Sequence, residues 1–168
     1  QNTMRDAMVT AMTLNLFNNR CDVVAMANVA QLCNNLHCLF LSGDENCVCT
    51  PTYHIFDMYK GHQGAQAFRT VVTDNDVFES SVTVSASVKD GKTLVTAGNL
   101  SCTEEAVLEL NAVGGELPET AVLHLLADAD LHVHNTFEQP ERVRPVTVTV
   151  DPRKPLHIPA GGIAALEF

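Results

Sequence analysis

The spacing of apolar residues changes near residue 65, and this change limits the chain to folds that join helices to a β-sandwich. Before it, Met4, Ala7, Met8, Ala11, Met12 and Leu14 recur at three- and four-residue steps, the spacing of one helical face. Thr3 is placed to cap that helix, and Asn18-Asn19-Arg20 closes it. Asp22 predicts the cap of a second helix, with Val23, Met26, Ala27, Ala30 and Cys33 at helical spacing and Asn34-Asn35 as the break. Leu36–Leu41 is nearly continuous in apolar character. It predicts a strand over residues 36–41 that is buried on both faces of a parallel sheet. Ser42–Asn46 reads as a polar loop. Thr50-Pro51 reads as N-cap and first position of a third helix over residues 52–60, ended near Gly61 and Gly64.

After the change, the pattern alternates. Ser81 to Val88 has period two, and Lys89-Asp90-Gly91-Lys92 predicts a hairpin turn. Thr93–Ala97, Ala106–Leu110, Ala121–Leu126, Val146–Val150 and Ile163–Phe168 are further strands at short spacing, the signature of a sandwich or jelly roll. The expected fold is therefore mainly β. An antiparallel sandwich or jelly roll over residues 67–168 follows a helical segment over residues 1–66. One parallel strand cannot make a sheet, so the first segment predicts partner strands elsewhere, in a longer protein.

Twenty acidic residues against ten basic ones give a formal charge of -10. A nucleic-acid backbone would repel such a chain. The most apolar runs fall far short of the 18 or so residues that span a bilayer. The first residues lack the basic start and apolar run of a signal peptide. Of the six cysteines, five crowd between positions 21 and 49. Most of them sit in apolar patterns, where a free thiol acts as a small core residue. Cys47-x-Cys49 has the wrong spacing for a zinc knuckle and no second pair follows it. Buried free thiols, no bound metal, no cofactor and a reducing, cytoplasmic setting are the expectations.

Three stretches are more specific than pattern. Asp22-Val-Val-Ala-Met-Ala-Asn-Val-Ala-Gln-Leu32, Cys49-Thr-Pro-Thr-Tyr-His-Ile-Phe-Asp-Met-Tyr59 and His134-Asn-Thr-Phe-Glu-Gln-Pro140, in that order, resemble glycoside hydrolase family 51. The family consists chiefly of α-L-arabinofuranosidases. Its members join a (β/α)₈ barrel to a C-terminal jelly-roll sandwich. The resemblance implies that residues 1–66 are the end of the barrel, with strand eight at Leu36–Leu41, and that residues 67–168 are the sandwich. It implies retaining hydrolysis of terminal arabinofuranosyl groups in the parent enzyme, through two carboxyl groups about 5–5.5 Å apart. In the family the acid/base glutamate follows an asparagine, and both glutamates would lie upstream of Gln1. No Asn-Glu dipeptide occurs in these 168 residues. The chain alone is therefore expected to hold no catalytic residue and to be inactive. Its implied partners are the rest of the barrel, an arabinofuranosyl-containing oligosaccharide and further copies of itself in a homo-oligomer.

Individual candidates follow from the same reading. Thr50 sits where some relatives place a glutamine that contacts the sugar, so it is the candidate substrate-binding residue. Its plainer role is to cap the helix that Pro51 opens. Asp44 and Glu45 are adjacent acids in the loop after the expected strand; as neighbours in a loop they point apart and read as a solvated turn. His132-x-His134 would project to one face of a strand, as zinc ligands do, but reads better as ordinary surface histidines. Phe56 and Tyr59 share one side of the third helix, the pattern of packing rather than of a sugar platform. Gly161-Gly162 lacks the strand, helix and lysine of a phosphate loop and reads as a turn. A non-catalytic carbohydrate-binding or interaction sandwich is the rival reading. Such modules usually stack sugars on exposed aromatics; here there is no tryptophan, and both tyrosines precede the sandwich.

Overall fold

The structure is a computed structural model that describes residues 2–73 and 81–168. Helix α1 (Met4–Asn19) starts where the sequence places it. The Asp6 carboxylate accepts from both the backbone N–H and the hydroxyl of Thr3, at 2.7 and 3.0 Å, which satisfies an N-terminal donor. Met4, Ala7, Thr10, Ala11 and Asn15 form its buried face, while Val9, Met12 and Leu16 are turned outward. Helix α2 (Pro51–Tyr59) is capped by Thr50 and buries Pro51, Thr52, Ile55, Met58 and Tyr59. Phe56 lies half-exposed beside that face. A single 3-10 turn, Lys60–His62, ends it.

The strands are β1 (Phe40–Ser42), β2 (Cys47–Cys49), β3 (Gln66–Phe68), β4 (Val82–Lys89) and β5 (Lys92–Asn99), then β6 (Ala106–Leu108), β7 (Ala121–Leu126), β8 (Val146–Val150), β9 (Leu156–Ile158) and β10 (Ile163–Glu167). Six of them make one antiparallel sheet in the order β3-β4-β5-β10-β7-β8, and β6 pairs with β9 in a second layer. The turn between β4 and β5 has positive φ at both Asp90 and Gly91, the twist that a two-residue hairpin needs.

Alternation along the strands divides the large sheet into two faces. Leu94 of β5, Ile163 and Ala165 of β10 and Leu126 of β7 face α1 and α2, in one core with Met4, Ala7, Ala11, Ile55, Met58 and Tyr59. Ala97, Ala164, Leu166, Ala121 and Leu123 face the other way, in a second core with Ile158. Each fully buried Leu, Ile or Met contributes roughly 1.5–3 kcal/mol. The sheet is thus covered by helices on one side and by the β6–β9 layer on the other.

Two expectations fail in the same region. The helix predicted from Asp22 to Cys33 is absent; after a turn at 21–23 the chain is irregular to residue 32. Val23, Met26 and Leu32 are 61–77% exposed. Most helix stability in proteins comes from packing an apolar face, and this face has nothing to pack on among the described residues. The strand predicted at Leu36–Leu41 begins only at Phe40, because Asn34 and His37 have positive φ, which breaks extended backbone. It is not a parallel strand buried on both faces. β1 pairs antiparallel with β2, a single parallel bridge joins Phe40 to Cys33, and Leu36 is 82% exposed. The short strands β2, β3 and β9 are found where the sequence reading places none.

Candidate functional site

The hairpin β1–β2 leads directly into Thr50 and α2, and four hydrogen bonds fix that junction. The Thr50 N–H donates to Leu39 O at 2.9 Å. Its hydroxyl donates to Cys38 O at 2.8 Å and accepts from the Tyr53 N–H at 3.2 Å. Across from it, Asn135 Nδ2 donates to Cys49 O at 2.9 Å. Thr50 is 1% exposed, so its hydroxyl is occupied as donor and acceptor inside the fold.

Asn135 does more than touch Cys49. Its amide also donates to Val143 O at 2.9 Å and accepts from the Val143 N–H at 2.7 Å, closing the loop 135–143 on itself. It is 1% exposed, and an unpaired amide there would be costly. The His134-Asn-Thr-Phe stretch is thereby tied to the residue before Thr50. No local pattern marks Asn135 as this anchor.

Beside the junction lies an open groove of about 470 Å³, lined by Asn2, Asn34, Leu36, His134, Phe137 and Glu138 among others. Asn2 Nδ2 donates to Cys38 Sγ at 3.5 Å. Glu138 is the only carboxylate among the described residues that line it. A retaining glycosidase needs two, and these residues supply one.

A second polar cluster sits between α1, the turn after α2, and the sheet. Asn15, fully buried, donates to Thr83 O at 3.2 Å and accepts from the hydroxyls of Ser85 (2.9 Å) and Thr96 (2.7 Å). His62 bonds Ser87 through Nδ1 at 2.7 Å and Thr96 through Nε2 at 2.9 Å. Burial depresses the His62 pKa to about 4, so the ring is neutral at pH 7. The buried Tyr59 hydroxyl faces Thr96 and Asn15 of this cluster, and burial pushes its pKa up. The neutral ring, bonded through both nitrogens to hydroxyls of the sheet, marks the cluster as a structural seam.

The remaining candidates are dispersed. Asp44 and Glu45 are exposed in the β1–β2 turn. His132 and His134 lie in an irregular loop rather than on a strand. Among the described residues, no three His, Cys, Asp or Glu side chains group as a metal site, and no helix is long and apolar enough to cross a membrane. The cysteines correct the sequence reading: only Cys38 is buried, Cys49 is half-buried, and Cys21, Cys33, Cys47 and Cys102 are exposed. Cys33 lacks the helix expected around it, which would have covered its thiol. Burial, with the Cys47 and Asp57 charges adding, pushes the Cys49 thiol pKa up.

Residues 1–158 match the family described as the alpha-L-arabinofuranosidase C-terminal domain. The chain is 32% identical to an intracellular exo-alpha-L-arabinofuranosidase of Bacteroides ovatus, over all of this chain and 35% of that protein. Its structure is similar to that of a GH51 arabinofuranosidase from Xanthomonas axonopodis pv. citri, with a TM-score of 0.82 and 29% identity over 99% of this chain and 36% of that one. The fold also matches a thermostable GH51 alpha-L-arabinofuranosidase from Thermotoga petrophila, with a TM-score of 0.80 and 19% identity over 99% of this chain and 38% of that one. The chain spans about a third of the length of these relatives.

Proposed function

The chain belongs to the alpha-L-arabinofuranosidase C-terminal domain family of the GH51 enzymes, and from that premise we propose that it is the mainly structural C-terminal part of a retaining α-L-arabinofuranosidase. The parent enzyme would hydrolyse terminal α-L-arabinofuranosyl groups from arabinose-containing glycans, with both catalytic glutamates outside these 168 residues. The observation that carries this reading is the match over nearly the whole chain to one third of each relative, together with a groove that holds a single carboxylate among its described residues.

Within that reading, residues 1–66 are the end of the (β/α)₈ barrel and residues 67–168 the sandwich, of jelly-roll type. The outward apolar residues Val23, Met26, Leu32 and Leu36 support contact with the rest of the barrel, since each leaves most of its apolar surface in water. Thr50 is carried forward as the candidate for a sugar contact. Its engaged hydroxyl favours an effect through the placement of the loop and α2. A cytoplasmic location is supported by the word intracellular in the name of the Bacteroides relative. A homo-oligomer is part of the same proposal.

The test is the complete reading frame. The product of the full gene should release arabinose from aryl α-L-arabinofuranosides, and replacing either of two glutamates encoded before Gln1 should abolish release. A full-length product whose activity survives both replacements would refute the assignment.

A further inference from the structure

The outer face of the β1–β2 hairpin carries an unusual concentration of thiols. Val48 is 3% exposed and points into the fold, so Cys47 and Cys49, one position to either side, share the opposite face. The ladder confirms it. Cys47 stands opposite Ser42 and Cys49 opposite Phe40, and directly opposed residues point the same way. Cys47 is exposed and Cys49 half-buried. Val48 and the Cys49 carbonyl, which accepts from Asn135, pin this short strand from the inner side and from the flanking loop.

Strand geometry decides what such a pair can do. Residues two apart on a strand are about 6.7 Å apart, with Cβ vectors nearly parallel. A disulfide needs Cβ atoms only about 3.5–4.5 Å apart, so the pair cannot close without breaking the strand. A bridging atom removes that obstacle: two metal–sulfur bonds of about 2.3 Å each, the length seen at zinc, span about 4.6 Å when in line. Zinc itself requires four ligands in a structural site, and no third His, Cys, Asp or Glu groups with this pair among the described residues. Cys33 lies on the same face but beyond Phe40, two strand spacings or about 9.5 Å from Cys49, which is too far. Soft thiolates select copper(I), zinc and iron–sulfur clusters, and of these copper(I) is the one that two thiolates in line can hold.

We propose that Cys47 and Cys49 form a two-thiolate site for a soft monovalent cation of the copper(I) type on the outer face of this hairpin. Binding breaks two S–H bonds, forms two metal–sulfur bonds and releases two protons to solvent, with no change in oxidation state. The site uses only the hairpin's own side chains. It replaces the sequence expectation of no metal for this one class of ion and leaves zinc without a site.

The experiment is an anaerobic titration of the reduced 168-residue chain with copper(I), in competition with a chromophoric copper(I) chelator. One tight equivalent is expected. Cys47→Ser should weaken it at least about 100-fold, the scale on which a tethered second ligand adds to affinity. Cys49→Ser should do the same, while Cys21→Ser and Cys102→Ser leave it unchanged. Cys47 is exposed, so its replacement leaves the fold intact, and circular dichroism checks this. Retention of the tight equivalent by Cys47→Ser, or binding by the parent chain no tighter than by the Cys47→Ser/Cys49→Ser double variant, would overturn the proposal.

Discussion

His62 Nε2 lies 2.9 Å from Thr96 Oγ1, so the turn that ends α2 is bonded to the middle of β5. The imidazole is neutral in this position, its pKa lowered by burial to about 4. An unfolded chain would protonate the same ring near pH 6.5.

The sign of the pH dependence follows. Between about pH 6.5 and 4 the unfolded state binds a proton that the folded state refuses, so stability falls as pH falls. Above that window the contribution is fully present; below pH 4 the loss stops growing. The full displacement corresponds to about 3 kcal/mol, and partial solvation of the ring reduces the expected loss to about 1–2 kcal/mol. Urea unfolding at pH 7 and pH 4.5 should show the loss in the parent chain, and its slope should flatten in His62→Gln. An equal slope in both would show that other groups carry the dependence.

Asn15 is the hub of the same seam, with two hydroxyl donors and one carbonyl acceptor satisfied by a single side chain. Asn15→Ala strands those groups in a buried place. A destabilisation of about 2–3 kcal/mol is expected, read as a lower urea midpoint at unchanged slope. A change under about 0.5 kcal/mol would mean that the seam is solvated.

Thr50 separates its two roles by substitution. Thr50→Ser keeps the hydroxyl that Tyr53 N–H and Cys38 O use, and should retain stability within about 0.5 kcal/mol. Thr50→Val keeps the shape and loses both bonds, for about 1–2 kcal/mol. In the full-length enzyme, a rise in KM in Thr50→Ser, with stability intact, would instead support direct contact with the sugar.

Gly161 has φ of +64°, and a Cβ added there would overlap Leu131 Cδ2. Backbone and packing oppose any larger residue. Gly161→Ala should therefore lower stability by about 1–3 kcal/mol, with thermal unfolding as the readout; an unchanged midpoint would show that the turn relaxes freely.

What was legible in the sequence is what local chemistry decides. Thr3 and Asp6 announce α1, Thr50-Pro51 announces α2, and Asp90-Gly91 announces the β4–β5 hairpin, because caps and turns are written in adjacent residues. The stretch from Asp22 to Leu39 was misread because its form depends on partners: Val23 and Met26 have helical spacing but nothing to pack against among the described residues. The strand β4 hid a different fact. Ser85 and Ser87 share one face of it, and Asn15 and His62 cover that face with hydrogen bonds. Period two shows that a strand has two faces and not which of them is buried. Asn135 was unreadable for a similar reason, since its three bonds reach Cys49, 86 positions away, and Val143.

The central claim is that this chain carries the fold of a glycosidase's C-terminal part and none of its catalysis. The most direct test is turnover of an aryl α-L-arabinofuranoside by the purified 168-residue chain, folded as shown by cooperative unfolding. The account predicts no release above the uncatalysed background, and no effect of Glu138→Gln. Turnover in the usual enzymatic range of roughly 1–10³ s⁻¹, abolished by replacing Glu138 or any other carboxylate within the chain, would contradict it.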